Sequence, residues 1–519
     1  MAWKDSDMCG IAFAIPNDAG FVEQALQSQA SRGPDDHQVA DVGLCTLGVN
    51  RLAITDLEHG SQPLRSRDGR TVLVFNGAIY NSGDLIDRYG LDVINGNDGE
   101  VVHGLYERFG SEFPGYLEGM FSICLVDVGA NEVILAIDSI GIKPLYVVTQ
   151  GTTVFGASTP ESFPVDMKCD VRRFPPGVVW SSRTGFRRYA LRAYREGPVV
   201  PLLSASVREQ LPHEVAWGCL LSGGVDSALI AALAKREYRG DVITITCGTE
   251  DSEDRKSAAE IAAIIGTKHC ERIVSRAEIL DAVRPVVRAT QSFEPWTIMG
   301  GVGTYLACSE AAAQGLKVLL SGEGADELFG GYDEFLDISG FALNAMLAQY
   351  QVDLGTSECL RLDRCSMAHS IEARVPFLCT SVVKKSRMIP VESNVSRSAD
   401  GVIVKKALRE AAGAVLPNAF AFRQKQEFSV GSGVGEVLTE YADSRYSSSD
   451  VMSVQNKFAG FAVTTPTQAW FLELWGEETG LAYGGDLQDL TRRGLFRQAV
   501  GEYSAHVVDP AVYGESIYG

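Results

Sequence analysis

A chain of 519 residues is too long for one hydrophobic core and suits two or three domains. With 45% hydrophobic and 22% charged residues it has ordinary globular composition, and a formal charge of −20 argues against nucleic acid or an anionic membrane as partner. No apolar run is long enough to span a bilayer, the polar start MAWKDSDMCGI lacks a signal-peptide pattern, and eleven scattered cysteines without CxxC or zinc spacing point to a reducing, cytoplasmic compartment.

Residues 9–190 read as one β-rich domain. Strand-like runs recur at Cys9–Ile15, Cys45–Arg51, Thr71–Phe75, Met120–Val126, Val133–Asp138, Leu145–Val148 and Gly177–Trp180. Helical stretches around Gly20–Ser31 and Gly99–Phe109 interrupt them. Strands with few helices predict stacked sheets flanked by helices. Five motifs fall along this stretch: Met8-Cys9-Gly10-Ile11, Arg32-Gly33-Pro34-Asp35, Asn50 to Asp56 (NRLAITD), Phe75 to Asn81 (FNGAIYN) and Gly96 to Glu100 (GNDGE).

Residues 190–210, with Gly197-Pro198 and Pro201, read as a linker. From about 206 to 480, apolar runs (Ala216–Leu221, Val242–Cys247, Val318–Ser321) alternate with helical runs (Ser227–Arg236, Ser257–Ile265, Ile298–Gln314). That alternation predicts a parallel sheet covered by helices, with ligands at the carboxyl ends of the strands. The stretch Ser222-Gly223-Gly224-Val225-Asp226-Ser227 lies at such an end. Its glycines allow a sharp turn, and its backbone N–H groups with the following helix start suit a phosphate. It is not a Walker A loop, since the Gly-Lys-Ser/Thr ending is missing. A carboxylate beside phosphate calls for a cation such as Mg²⁺ between them. A second glycine-acid stretch, Ser321 to Tyr332 (SGEGADELFGGY), supplies Glu323 and Asp326, so that Asp226 and Asp326 make a carboxylate pair for Mg²⁺. Met367 to Leu378 follows, with Asp363 and Arg364 before it, and then Arg423 to Ser429 (RQKQEFS), where Lys425 is a cation for phosphoryl oxygens. The tail 481–519 carries no legible chemistry.

The first set of motifs resembles a class II glutamine amidotransferase domain of the N-terminal-nucleophile type. With SGGVDS, SGEGADELFGGY, IEARVPFL and RQKQEFS behind it, the chain from Cys9 to about residue 480 resembles the glutamine-dependent asparagine synthetase family. The resemblance implies an N-terminal-nucleophile β-sandwich glutaminase (9–190) and a parallel α/β adenylating domain (206–480), an α+β and an α/β unit in one chain. It implies that Cys9 attacks glutamine with its own α-amine as base, and that Arg51, Asn76, Gly77 and Asp98 hold glutamine, Asn76 and Gly77 also stabilising the oxyanion. ATP would lie on Leu220, Ser222, Gly223, Gly224, Asp226, Ser227, Cys247, Ser321 and Gly322, with Mg²⁺ on Asp226 and Asp326. Lys425 would neutralise phosphate charge, and Glu323 would serve as base for the incoming amine or as polar support for the adenylated intermediate. The substrates implied are glutamine, ATP and a carboxylic acid, and a homodimer is common in the family.

Three departures stand out. Eight residues precede Cys9, so its amine is blocked until they are removed. Ala78 replaces a carboxylate that helps bind glutamine's α-ammonium. In the stretch before the acceptor-side helix the family's Arg falls on Met299 and a Thr on Trp296, followed by Gly300, Gly301 and Gly303, unless Arg288 takes the arginine's role. The resemblance therefore implies ATP-dependent amidation through an acyl-AMP, and its departures at Trp296 and Met299 lead to the expectation of an acid other than aspartate. The alternatives are asparagine formation from aspartate and a non-catalytic glutamine- or ATP-binding protein.

Overall fold

The computed structural model describes residues 9–336, 338–398, 401–423, 431–458 and 461–480. The N-terminal half contains strands β1 (Gly10–Ile15), β2 (Asp36–Val42), β3 (Cys45–Arg51), β4 (Leu64–Arg65), β5 (Thr71–Ile79), β6 (Gly119–Asp127), β7 (Glu132–Ile137), β8 (Tyr146–Gln150), β9 (Thr153–Ala157), β10 (Arg172–Arg173), β11 (Val178–Ser181) and β12 (Gly185–Arg188). Its longer helices are α1 (Ala19–Ser28), α2 (Ser82–Tyr89) and α3 (Val101–Phe109). The strands form two six-stranded antiparallel sheets, ordered β10-β8-β9-β1-β3-β2 and β12-β11-β7-β6-β5-β4.

Side-chain alternation sets the layers. Ile11, Phe13, Leu47 and Val49 of the first sheet meet Val72, Val74, Cys124 and Leu135 of the second in a core between them. The intervening Ala12 and Ala14 turn the other way, onto Phe21, Val22 and Leu26 of α1. Leu73 and Phe75 turn onto Val101 and Leu105 of α3. The unit is a sandwich with a helical layer outside each sheet, as stacked sheets with flanking helices required. Strands β2, β4, β9, β10 and β12 escape the sequence reading, β2 because it is a largely polar edge strand.

The C-terminal half is built on five parallel strands, β13 (Trp217–Leu220), β14 (Ile243–Gly248), β15 (Lys268–Ile273), β16 (Val318–Leu320) and β17 (Glu372–Arg374), ordered β15-β14-β13-β16-β17. Helices α4 (Val199–Gln210), α5 (Val225–Glu237), α6 (Glu253–Ile265), α7 (Arg276–Thr290), α8 (Pro295–Ala313), α9 (Ala325–Phe329), α10 (Gly340–Asp353) and α11 (Glu358–Met367) are among those that cover it. Helix α4 occupies what the sequence reads as linker. Pro198 caps it and Pro201 sits in its first turn, where proline is tolerated, so the two prolines start a helix rather than prevent one. Leu202, Leu203 and Val207 bury it against Leu229 and Leu233 of α5. The described cysteines are free thiols, all buried except Cys9 and Cys270. Among the described residues no helix is long and apolar enough to cross a membrane.

The halves meet through a mixed interface. Leu52, Ala78, Met120 and Ile142 share one apolar cluster with Leu203, Val375 and Leu378, and Cys9 packs against it. Around it lie Arg32 and Lys143, both paired with Asp363 of α11 and all three buried.

Candidate active sites

The first site surrounds Cys9, just before β1. Its thiol accepts the Leu52 N–H at 3.2 Å, and Arg32 Nε donates to its carbonyl at 3.4 Å. Burial pushes the thiol up to about 11, with the Leu52 amide opposing and Glu372 adding to the rise. A thiol this weakly acidic needs a base beside it to act as a nucleophile at neutral pH. Asn76 is buried in β5, and its Nδ2 is a buried donor without a hydrogen-bond partner. An orphaned donor of this kind suits an incoming carbonyl oxygen or oxyanion. Gly77 follows at φ +148°, and a Cβ there would lie 1.9 Å from the Met120 carbonyl, so β5 and β6 come this close only because the residue is glycine. Asp98 accepts the Ile79 N–H, and burial raises its carboxyl to about 6. Arg51 spends its guanidinium on the carbonyls of Thr55, Asp56 and Leu57, at 3.2, 2.6 and 3.4 Å, and so shapes the loop after β3.

The second site lies at the carboxyl ends of β13 and β16, where two glycine-rich loops touch. Gly223 turns at φ +77°, with its carbonyl accepting from Arg423 Nη1 at 2.7 Å. Ser227 Oγ accepts the Ser222 N–H at 3.1 Å and closes the loop on the first turn of α5. A Cβ on Gly322 would lie 2.7 Å from the Ser227 nitrogen, so the second loop packs directly on the first. Both open into a cavity of about 1400 Å³ lined by Leu220, Ser222, Gly224, Asp226, Ser227, Cys247, Ser321, Gly322, Glu323 and Asp326. The predicted nucleotide residues thus converge, with Gly223 at the turn behind them.

Lys425 lies outside the described residues. Among the described residues the cation between the two predicted metal ligands is Lys405, which the sequence reading missed. Its Nζ is 2.5 Å from Asp226 Oδ2 and 2.9 Å from Asp326 Oδ1, and the side chain is buried. Burial alone would favour the neutral amine, but the two carboxylates outweigh it and raise the group above the ordinary lysine range. Nothing local announces this role: Lys405 stands beside Lys406 in a helical run, 179 residues from Asp226. Among the described residues no three His, Cys, Asp or Glu side chains group as a metal site. Asp226 Oδ1, however, is a buried oxygen without a partner. The pair therefore fits Mg²⁺ only if phosphate oxygens and water complete its shell, which is how Mg²⁺ is usually bound.

Glu323 is raised by burial, with Arg361 opposing. Arg361 of α11 donates to it at 2.7 Å and also pairs with Glu358. Glu327, beneath them, is pushed up to about 8 by burial and by Glu358 and Asp326. Helix α8 presents Trp296, Thr297, Met299 and Gly300 to the same cavity. Arg288 does not join them: it is exposed on α7, with Nε 2.7 Å from Glu478, so it does not replace the cation missing at Met299.

Comparison with known proteins identifies both halves of the chain. The asparagine synthase family model matches residues 199–342 and 341–478, and the glutamine amidotransferase domain model matches 8–174. The chain is 35% identical to asparagine synthetase [glutamine-hydrolyzing] of Asparagus officinalis, over 78% of this chain and 72% of that protein. It is 33% identical to a probable asparagine synthetase of Schizosaccharomyces pombe over 91% and 93%, and 30% identical to asparagine synthetase B of Escherichia coli over 91% of each.

Proposed function

The chain belongs to the glutamine-hydrolysing asparagine synthetase family, and we propose that it joins glutamine-derived ammonia to a carboxylic acid activated by ATP. In the first half, removal of Met1–Met8 frees the α-amine of Cys9. That amine, ordinarily titrating near 8, takes the thiol proton. The thiolate attacks the amide carbon of glutamine, ammonia leaves, and water hydrolyses the thioester to glutamate. Asn76 Nδ2 and the Gly77 N–H are placed in the proposal as oxyanion donors, and Asp98 as the partner of the substrate's α-ammonium.

In the second half, a carboxylate oxygen of the acceptor attacks the α-phosphorus of ATP, and the bond to the β-phosphate oxygen breaks. Pyrophosphate leaves and an acyl-AMP remains. Ammonia adds to the acyl carbon, a proton passes to Glu323, and AMP departs with the bonding electrons. Lys405, with Lys425, neutralises charge growing on the phosphates; Asp226 and Asp326 would hold Mg²⁺, which supplies further neutralisation when bound. The apolar cluster between the halves keeps ammonia from protonation on its way.

The observation that carries this reading is the meeting of the two glycine-acid loops around Asp226, Lys405 and Asp326. The acceptor in this reading is an acid other than aspartate, a reading supported by Met299 and Trp296 lining the cavity from a helix that carries no Lys or Arg. The names of the relatives favour the second reading, asparagine from aspartate. Nucleotide analysis after turnover with ammonia tests the common core: AMP and pyrophosphate support it, and ADP with phosphate sinks it.

A further inference from the structure

We infer that the acceptor is a monocarboxylic acid bearing an uncharged, apolar group of aromatic size beyond its reacting carboxylate. This rests on the adenylation reading above and names the substrate class of that same cavity. The first support is an accounting of cations. Among the described residues four line the cavity, and each is committed within the protein. Arg361 is held by Glu323 at 2.7 Å and by Glu358, and Lys405 bridges Asp226 and Asp326. Arg409 donates to the carbonyls of Ala421 and Arg423 at 2.9 and 2.7 Å. Arg423 donates to the Gly223 carbonyl at 2.7 Å and approaches Asp254. Helix α8 contributes no Lys or Arg anywhere along Pro295–Ala313. A second carboxylate on the acceptor would have to draw Arg361 from Glu323 and Glu358 or Lys405 from Asp226 and Asp326, leaving an acidic partner uncompensated, or compete with backbone carbonyls for Arg409 and Arg423.

The second support is the surface offered instead. Trp296 is 72% exposed on the first turn of α8, and Met299 follows three residues on, on the same face. Met346 and Tyr350 of α10 line the same cavity. A solvent-facing indole with two thioethers and a phenol, with the acids Glu334 and Asp353 beside them, is a surface for stacking and dispersion rather than for an anionic side chain. Gly300 adds room, because a Cβ there would lie 2.9 Å from Arg361 Nη1 and press on the pair with Glu323.

The test is ATP–pyrophosphate exchange by the full chain with Mg²⁺ and no nitrogen donor, driven in turn by 3-phenylpropionate, hexanoate, succinate and aspartate. The expected result is a kcat/KM for the two monoacids at least about tenfold above that for either diacid. Trp296→Ala should lower kcat/KM for 3-phenylpropionate about tenfold while leaving the KM for ATP within about twofold. Met299→Arg should shift preference towards succinate. Exchange driven best by aspartate or succinate keeps the adenylation reading and overturns the inference. Exchange with none of the four acids overturns that reading and the inference with it.

Discussion

At the residue scale, Asn76 and Asp98 carry separable consequences. Asn76 Nδ2 is a buried donor with nothing to bond, so truncating it removes an oxyanion contact without stranding a partner. Asn76→Ala should lower glutamine-driven turnover by about 10²–10³-fold and leave ammonia-driven turnover unchanged, measured side by side. Asp98 titrates near 6 because burial disfavours its charge. Glutamine's α-ammonium needs the ionised form, so its KM should fall as pH rises through about 6 and climb by up to about tenfold per pH unit below it. Ammonia-driven turnover should not show that limb once free ammonia is held constant. For stability the sign is opposite: with a folded pKa above the ordinary 3.8, the native state holds the proton more tightly, so this group's contribution is lost as pH rises from about 4 to 6. The positions of Asn76, Gly77 and Asp98 as candidates were legible because they sit in short glycine-containing motifs whose backbone demands show in the sequence. Lys405 and Arg361 were not. A lysine and an arginine in amphipathic helical runs look like solvated surface, and only the arrival of Asp226, Asp326 and Glu323 from other elements makes them buried counter-charges.

At the element scale, α11 joins the two halves. Near its start Arg361 holds Glu323, and two residues later Asp363 turns the other way to accept from Arg32 at 2.9 and 3.3 Å and from Lys143 at 3.3 Å. Burial alone would raise the Asp363 carboxyl, but the two cations bring it below its usual range. Arg32 in turn donates to the Cys9 carbonyl, so one ten-residue helix touches the surroundings of both sites. Asp363→Asn leaves two buried cations without a counter-charge and should destabilise the chain by about 3–5 kcal/mol in denaturant unfolding, whereas breaking a solvent-screened surface pair such as Arg67–Asp92 should leave the unfolding midpoint almost unchanged. The same contrast explains what the sequence could not offer about elements. The parallel strands and the strand–loop–helix at SGGVDS follow from local pattern. The helix at Val199–Gln210 was obscured by prolines that mark its start, and the pairing of α11 with Arg32 spans 331 residues.

At the scale of the whole molecule, a glutaminase-like sandwich and an adenylating α/β unit share one apolar cluster, with Cys9 at one edge and the nucleotide loops built on α5 at the other side. In the proposed reaction that layout lets something small and easily lost to water pass between them. The claim to be tested most directly is therefore the transfer itself. The protein, with Cys9 exposed as residue one, would be given ATP, Mg²⁺ and amide-¹⁵N glutamine, with aspartate and 3-phenylpropionate in parallel, and the products read by mass spectrometry. The account predicts an amide of the accepted acid carrying one ¹⁵N, formed with AMP and glutamate in equal amounts. Glutamate released without ¹⁵N in any amide, while ammonium salts still support amide formation, would contradict it.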